Sequence, residues 1–332
     1  MKIVVFEAED WEVEACSALR SGHDLRCTRE QLSAASVADF ADAEIVTTFV
    51  NSRLDEPVLA GLAQLRFIAT RSTGYDHIDL SWCRAHGIAV ANVPSYGDVT
   101  VAEHVFALLL ALARNLVPTV EGMRAGHFDQ SALRGFDLHG KTIGVVGTGR
   151  IGRRVIAIAR GFGMHVLGHD VAPDPALSVR LGFEYAELEQ LLGMSDVVTL
   201  HVPALATTRG LIGEAELGLM KREAVLINTA RGAVVDVEAL VRALASGGIR
   251  GAGLDVLPEE PSMRDEAGIF RAREVDAARV KALLANHLLM VAPNVLVTPH
   301  VAYNTVEARR RIIDQTIRNI EGFADGRPVN LV

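Results

Sequence analysis

The stretch Thr142-Ile143-Gly144-Val145-Val146-Gly147-Thr148-Gly149-Arg150-Ile151-Gly152, continuing into Arg153 to Arg160, decides how this chain folds. A short apolar run reads as a buried strand, and the segment after the glycines reads as a helix. Alone, G-x-G-x-x-G is a weak signal, since about one residue in fourteen is glycine in an average protein. Between a strand and a helix it acquires a mechanism. Gly147 takes the tight turn, Gly149 lets backbone approach a pyrophosphate, and Gly152 permits close helix–strand packing, with the positive helix end facing the phosphates. Asp170 closes the next apolar run, Met164 to Asp170, eighteen residues past Gly152. A carboxylate there accepts hydrogen bonds from ribose hydroxyls and repels a 2′-phosphate, and Val171, Ala172 and Pro173 offer no cation to reverse that preference. The motif therefore points to NAD rather than NADP; the competing reading is a glycine-rich turn beside a solvated surface acid.

Outward from that unit, strand candidates recur at Val197–Val202, Ala224–Asn228, Gly251–Val256 and Val295–Thr298. With Thr142–Gly147 and His165–Asp170 they make six, separated by helix-length segments, the pattern of a doubly wound parallel sheet. A first series precedes it: Lys2–Glu7, Asp24–Cys27, Glu44–Phe49, Arg66–Ala69 and Ile88–Val93. Between the series an apolar-periodic helix runs from Thr100 to near Pro118, and after His300 a helix over Thr305 to Phe323 leads to an end with no strand to join in the second series. The expected fold is thus α/β with two Rossmann-like domains: residues 1–99 with 301–332, and residues 100–300.

Composition agrees with two domains. The chain has 332 residues, 49% of them hydrophobic, which rules out disorder. A net charge of −8 disfavours nucleic acid and anionic lipid as partners. Cys16, Cys27 and Cys83 form no C-x-x-C pair, so neither a disulfide framework nor a cysteine zinc site is expected, and no metal is assigned. Val105 to Ala113 is the most apolar run, about half of the ~20 residues a spanning helix needs, and reads as a buried helix. The acidic start, with Glu7 and Glu9, is unlike a signal peptide and places the chain in the cytoplasm.

Three further residues stand just past strands of the second series, where doubly wound sheets bind ligands. His300 follows Val295–Thr298 and reads either as a structural hydrogen-bonding residue or as a proton carrier. Arg231 follows Leu226-Ile227-Asn228-Thr229-Ala230 and could grip a carboxylate with its fork. Glu260 lies beyond the fifth strand beside Glu259. On residue type alone Arg231 and the acidic pair read equally well as surface charges.

Together, Asn228–Gly232 with Val234–Asp236, Gly253–Pro261, Thr298-Pro299-His300 and the glycine motif resemble the D-isomer-specific 2-hydroxyacid dehydrogenase family. Arg71–Asp79 looks like that family's substrate loop and Val101–His104 like the start of its interdomain helix. The resemblance implies an active site in the cleft between the domains, with His300 as acid/base, Glu260 as its partner, Arg231 as substrate clamp and the backbone at Thr73 and Gly74 as a second carboxylate holder. Tyr96 and Tyr303 are candidate pocket walls. Thr229 and Ala230 adjoin the clamp on the cofactor side, Asp255 resembles the residue near the nicotinamide carboxamide, and His201-Val202-Pro203 resembles the segment under the adenine. Glu260 disfavours the formate-oxidising type and Thr73 the phosphite-oxidising type. The long segment Ser262–Ala292 and Pro94-Ser95-Tyr96 resemble the D-lactate dehydrogenase branch, so the implied reaction is pyruvate to D-lactate. Hydroxypyruvate, glyoxylate or a bulkier 2-keto acid, or an NAD-sensing corepressor role, are the alternatives. The family also implies a homodimer through the Val101–Leu116 helix and the Met123–Phe136 segment.

Overall fold

Among the described residues every strand but one is three to five residues long, and the strands pair in parallel, so both sheets need helices on their faces. The computed structural model describes residues 1–128, 131, 133–258 and 277–332. These fall into two units, Met1–Tyr96 with Asn304–Val332, and Gly97–Tyr303.

The first unit runs β1 (Lys2–Val5), α1 (Asp10–Cys16), β2 (Asp24–Cys27), β3 (Ile45–Thr48), α2 (Glu56–Ala60), β4 (Phe67–Thr70), α3 (Leu80–Ala85) and β5 (Ala89–Ala91). Its sheet order is β2-β1-β3-β4-β5, the flavodoxin-like arrangement, whose direction of winding reverses between β1 and β3.

The second unit opens with α4 (Asp98–Ala113) and α5 (Leu116–Arg124) and continues β6 (Thr142–Val146), α6 (Arg150–Gly161), β7 (His165–His169), α7 (Pro175–Leu181), β8 (Glu184–Tyr185), α8 (Leu188–Met194), β9 (Val197–Leu200), α9 (Glu214–Leu219), β10 (Val225–Asn228), α10 (Val237–Ala245), β11 (Gly251–Leu254), α11 (Ala277–Val291) and β12 (Val295–Val297). Its order β12-β11-β10-β9-β6-β7-β8 is the Rossmann sequence extended by one strand, with the reversal between β6 and β9. Alternate strand residues face opposite layers. Ile143, Val145, Val225 and Ile227 pack with Val105, Leu109 and Val155 of α4 and α6 on one side, while Val146, Val198, Leu226 and Leu254 pack with Leu191, Leu240 and Leu289 on the other.

A last helix, α12 (Val306–Ala324), capped by the Thr305 side chain on the Ala308 amide, returns to the first unit. There Ile313 and Ile320 join Ile3, Val5 and Phe67 in one apolar layer, and Phe323 stacks on Phe67 at 4.4 Å. The final residues reach β5, where Val332 donates its amide to the Val90 carbonyl.

Several expectations need correcting. The second sheet has seven strands, not six: β8 is two residues long, too short to register as an apolar run. The helix expected to end near Pro118 breaks earlier, at Asn115, whose φ of 47° and ψ of 42° are left-handed values that asparagine tolerates better than most residues. Pro118 sits in the first turn of α5, where an amide has no helical acceptor to lose. The two helices meet at 60°, and no single helix among the described residues is long and apolar enough to cross a membrane. The crossings between units lie three residues outside the boundaries drawn from sequence, because Asp98 already belongs to α4 and the amides of Val301 and Ala302 are bound to Asp255 of the second unit.

Candidate active site

The glycine turn builds a phosphate cradle. Gly147 has φ +94°, and a Cβ there would lie 2.7 Å from the His201 carbonyl oxygen; a Cβ on Gly152 would lie 2.1 Å from the carbonyl oxygen of Gly147. Around Gly149 there is open space, and this N-cap carries no side chain to bond the helix start. The first α6 amide with a helical acceptor is that of Arg153, bonded to the Gly149 carbonyl. The amides before it are thus available to an anion at the positive end of the helix. Beside the cradle, Asp170 accepts from the Thr148 amide at 2.7 Å and its hydroxyl at 3.0 Å, and from the Ala172 amide at 3.0 Å. Burial alone would push this carboxyl upward, but those hydrogen bonds and the nearby His169 hold it below its ordinary range, so it is an anion at neutral pH.

Across the reversal, His201 follows β9, its amide bonded to the Val146 carbonyl at 2.7 Å. Burial of its ring depresses the imidazole to about 3, so it is neutral, with one nitrogen near the Thr199 hydroxyl at 3.0 Å. Val202 is half-buried and Pro203 exposed. After β10, Asn228 shapes the turn from both sides: its amide group donates to the Arg231 carbonyl at 3.0 Å and its oxygen accepts from the Ala230 amide at 3.0 Å. Among the described residues the buried Thr229 hydroxyl has no partner. Arg231, half-buried, donates from Nη1 to the Ala230 carbonyl at 2.8 Å.

The most constrained element lies past β11 and β12. Asp255 is 1% exposed, and its carboxylate accepts the Thr298 hydroxyl at 2.5 Å, the Val301 amide at 2.9 Å and the Ala302 amide at 2.9 Å. The His300 amide donates to the Asp255 carbonyl at 2.9 Å, and His300 is held at φ +54°. The Thr298 hydroxyl proton is committed to Asp255, so its oxygen accepts from His104 Nε2 at 3.1 Å, which fixes a proton on that nitrogen. His104 Nε2 also lies 3.5 Å from the carboxylate. Burial would raise the Asp255 carboxyl, yet His104, Thr298 and the two amides outweigh it and hold it below the carboxylate norm. One buried anion therefore pins the turn that presents His300.

In the first unit, the loop after β4 has its carbonyls occupied. Asn92 donates to the Thr73 carbonyl at 2.8 Å, the Ser72 hydroxyl to the Gly74 carbonyl at 2.5 Å, and the Thr73 hydroxyl to the Val93 carbonyl at 2.8 Å. Among the described residues neither the Thr73 nor the Gly74 amide has a protein acceptor, so both are available to a carboxylate. Beneath them Arg71 is 1% exposed and donates to the carbonyls of Phe6 and Glu7 at the end of β1.

The comparisons with known proteins agree with this architecture. The model of the D-isomer specific 2-hydroxyacid dehydrogenase NAD binding domain matches residues 106–302. The chain belongs to this dehydrogenase family. It is 38% identical over 299 residues to a glyoxylate reductase of Thermococcus litoralis, covering 88% of this chain and 84% of that one. It is 35% identical to the D-lactate dehydrogenase kk1H of Curvularia clavata, over 99% of this chain and 94% of the other. The solved D-lactate dehydrogenase of Aquifex aeolicus, complexed with NAD and lactic acid, superposes with a TM-score of 0.86 at 35% identity, covering 98% of this chain and 96% of that one.

As a 2-hydroxyacid dehydrogenase the chain uses NAD, and its residues fit that cofactor: an uncapped helix start over open space, an ionised Asp170 and a Thr229 hydroxyl with no partner among the described residues. The second unit gathers the glycine turn, Asp170, His201, Thr229, Ala230, Arg231, Asp255 and His300 at the carboxyl ends of one sheet. Thr73, Gly74 and Tyr96 belong to the first unit, and Tyr303 ends the second; both tyrosines are half-buried. Glu260 and Glu259 lie outside the described residues, as do positions 262–276 of the long segment. Its described remainder includes α11, from which Asn286 donates to the Pro258 carbonyl at 2.7 Å, bracing the chain just before the acidic pair. The resemblance set Asp255 beside the nicotinamide; in this structure its carboxylate is enclosed by the His300 turn. Sequence reasoning placed Arg71 in the substrate loop and His104 at the start of the interdomain helix, and gave neither side chain a role of its own. The one available signal for His104 was a histidine among the apolar residues of α4, its partners lying far off in the chain.

Proposed function

We propose that this dehydrogenase reduces pyruvate to D-lactate, with His300, Arg231 and the Thr73–Gly74 amides as its working groups. The observation that carries the reading is the His300 turn, in which a non-glycine residue sits at φ +54° beside amides that donate to a buried carboxylate. When bound, NADH supplies the hydride to the carbonyl carbon. His300 delivers a proton to the carbonyl oxygen and regains one from solvent. Arg231 grips the substrate carboxylate and stabilises charge developing on that oxygen, the amides of Thr73 and Gly74 are further donors suited to a carboxylate, and Glu260 orients His300. The likeness to the Aquifex enzyme along nearly the whole chain supports pyruvate.

A second reading, reduction of glyoxylate or hydroxypyruvate, is favoured by the Thermococcus relative. Initial rates of NADH oxidation with pyruvate, phenylpyruvate, 2-ketoisocaproate, glyoxylate and hydroxypyruvate decide between them. The highest kcat/KM on pyruvate is expected, a preference for glyoxylate or hydroxypyruvate would move the assignment to the second reading, and no oxidation with any of the five would favour an NAD-sensing protein. The apolar side chains Leu116, Met123 and Phe128, exposed by 53%, 52% and 73%, support a homodimer through the Val101–Leu116 helix and the segment from Met123. Light scattering should give twice the 35.7 kDa chain mass.

A further inference from the structure

The mechanism above leaves one hydrogen-bonded chain without a task. It starts on β8, the two-residue strand at the sheet edge that lies against β7 with Tyr185 opposite Gly168. The Tyr185 hydroxyl lies 2.9 Å from the Thr148 hydroxyl and 3.1 Å from the Asp174 amide nitrogen. Each hydroxyl has one proton, and an ionised carboxylate only accepts, so the directions are determined. Thr148 donates to Asp170, Tyr185 must then donate to Thr148, and the Asp174 amide donates to Tyr185. Hydrogen bonds aligned in one direction polarise one another, so the last bond, onto Asp170, is stronger than a lone threonine would make.

The surroundings of this chain are closely packed. Thr148 is 3% exposed, and a Cβ on Gly168 would lie 2.6 Å from the Phe183 ring and 3.0 Å from the Thr148 methyl. Phe183 in turn meets the Tyr185 ring edge-on at 4.9 Å. At the far end, Asp170 has four lone-pair sites. Three are filled by the Thr148 amide, the Thr148 hydroxyl and the Ala172 amide, which leaves one on Oδ1. A carboxylate held on both oxygens with one acceptor site left on Oδ1 suits a ribose hydroxyl, and these bonds oppose its moving aside for a phosphate.

We propose that Tyr185 is a specificity-determining positioning residue, whose hydroxyl acts through Thr148 to lock Asp170 against the 2′-phosphate of NADPH. The inference rests on Asp170 reading the ribose. Tyr185→Phe keeps the ring and the contact with Phe183 and removes only the hydroxyl. Thr148 then loses its donor and its hydroxyl is free to turn from Asp170.

The test is a direct titration of the purified chain with NADH and with NADPH, following the fluorescence of the bound nicotinamide, for wild type, Tyr185→Phe, Thr148→Val, Thr148→Ser and Asp170→Ser. The ratio of Kd for NADPH to Kd for NADH should fall by about 3- to 10-fold in Tyr185→Phe, the range one net hydrogen bond supports. It should fall further in Thr148→Val and recover in Thr148→Ser, which retains the hydroxyl. In steady state the change should appear in KM for the cofactor and not in kcat, a split that a general loosening of the fold would not produce. If Asp170→Ser lowers the ratio while Tyr185→Phe leaves it unchanged, Tyr185 is only a packing residue and the inference fails with the Asp170 reading intact. If Asp170→Ser leaves the ratio unchanged, the reading of Asp170 itself fails. Should Tyr185→Phe not fold, the Thr148→Val and Thr148→Ser pair decides: equal ratios in the two would overturn the relay.

Discussion

Replacing Asp255 by Asn separates holding the His300 turn from touching the cofactor. In the native chain the carboxylate accepts three hydrogen bonds, from the Thr298 hydroxyl and the amides of Val301 and Ala302, at 1% exposure. An amide side chain has one oxygen. With that oxygen toward Thr298 and Val301, its NH2 group faces the Ala302 N–H, and a buried donor without an acceptor costs about 1–3 kcal/mol. The two bonds that survive lose their charge assistance, roughly half their strength. Together the loss is about 3–4 kcal/mol. For a unit of some 200 residues this lowers Tm by about 6–15 °C. The folded carboxyl is held below its unfolded value, so its stabilisation is complete above the unfolded pKa and is lost as pH falls through the folded one. The gap in Tm between wild type and Asp255→Asn should therefore be constant from neutral pH down to about 5 and narrow only in stronger acid. Released from its anchors, His300 should leave φ +54°, and kcat should fall by on the order of 10- to 100-fold while KM for NADH changes little. Calorimetry across pH and steady-state kinetics measure both. A normal Tm and kcat with a raised KM for NADH would refute the reasoning and place Asp255 on the cofactor.

Arg231→Lys keeps the charge but loses the fork, and kcat/KM for the keto acid should fall at least on the order of 10²-fold with NADH affinity nearly unchanged; normal turnover would make Arg231 a surface charge. Gly152→Ala puts a methyl 2.1 Å from the Gly147 carbonyl oxygen, so the turn must open, and titration should show NADH binding weakened by about 10-fold or more. Burial pushes the thiols of Cys16 and Cys83 up to about 11, so at pH 8 a thiol reagent should label the half-exposed Cys27 first and the other two only after denaturation. Rapid labelling of all three in the native chain would contradict their burial.

Much of this arrangement was legible because the informative residues are close in sequence. Strand, glycine turn and helix from Thr142 to Arg160 form one local pattern, and Arg231 and His300 each directly follow an apolar run. What failed to show depends on contacts between distant segments. His104 meets Thr298 across 194 positions, and Asp255 reaches Ala302 across 47. β8 lies against β7 where Gly168 leaves room for Phe183, which no periodicity over two residues can announce. The end of α4 was misplaced because proline is the usual helix breaker in sequence, whereas here the break comes from a left-handed asparagine three residues earlier.

The path of the chain also sets an order of assembly during synthesis. The first unit begins at Met1 but includes Asn304–Val332, whereas the NAD-binding unit is one continuous segment that is complete at Tyr303. Until α12 emerges, the face of the first sheet made by Ile3, Val5, Ile45 and Phe67 lacks the helix that supplies Ile313, Ile320 and Phe323. Of the two units, the one whose residues begin earlier in the chain is thus finished later. A ribosome paused shortly after residue 303 holds a chain whose nucleotide-binding half has all its residues while the other half presents an apolar sheet face covered in part by α1 and not yet by α12, a stage at which a chaperone has surface to bind.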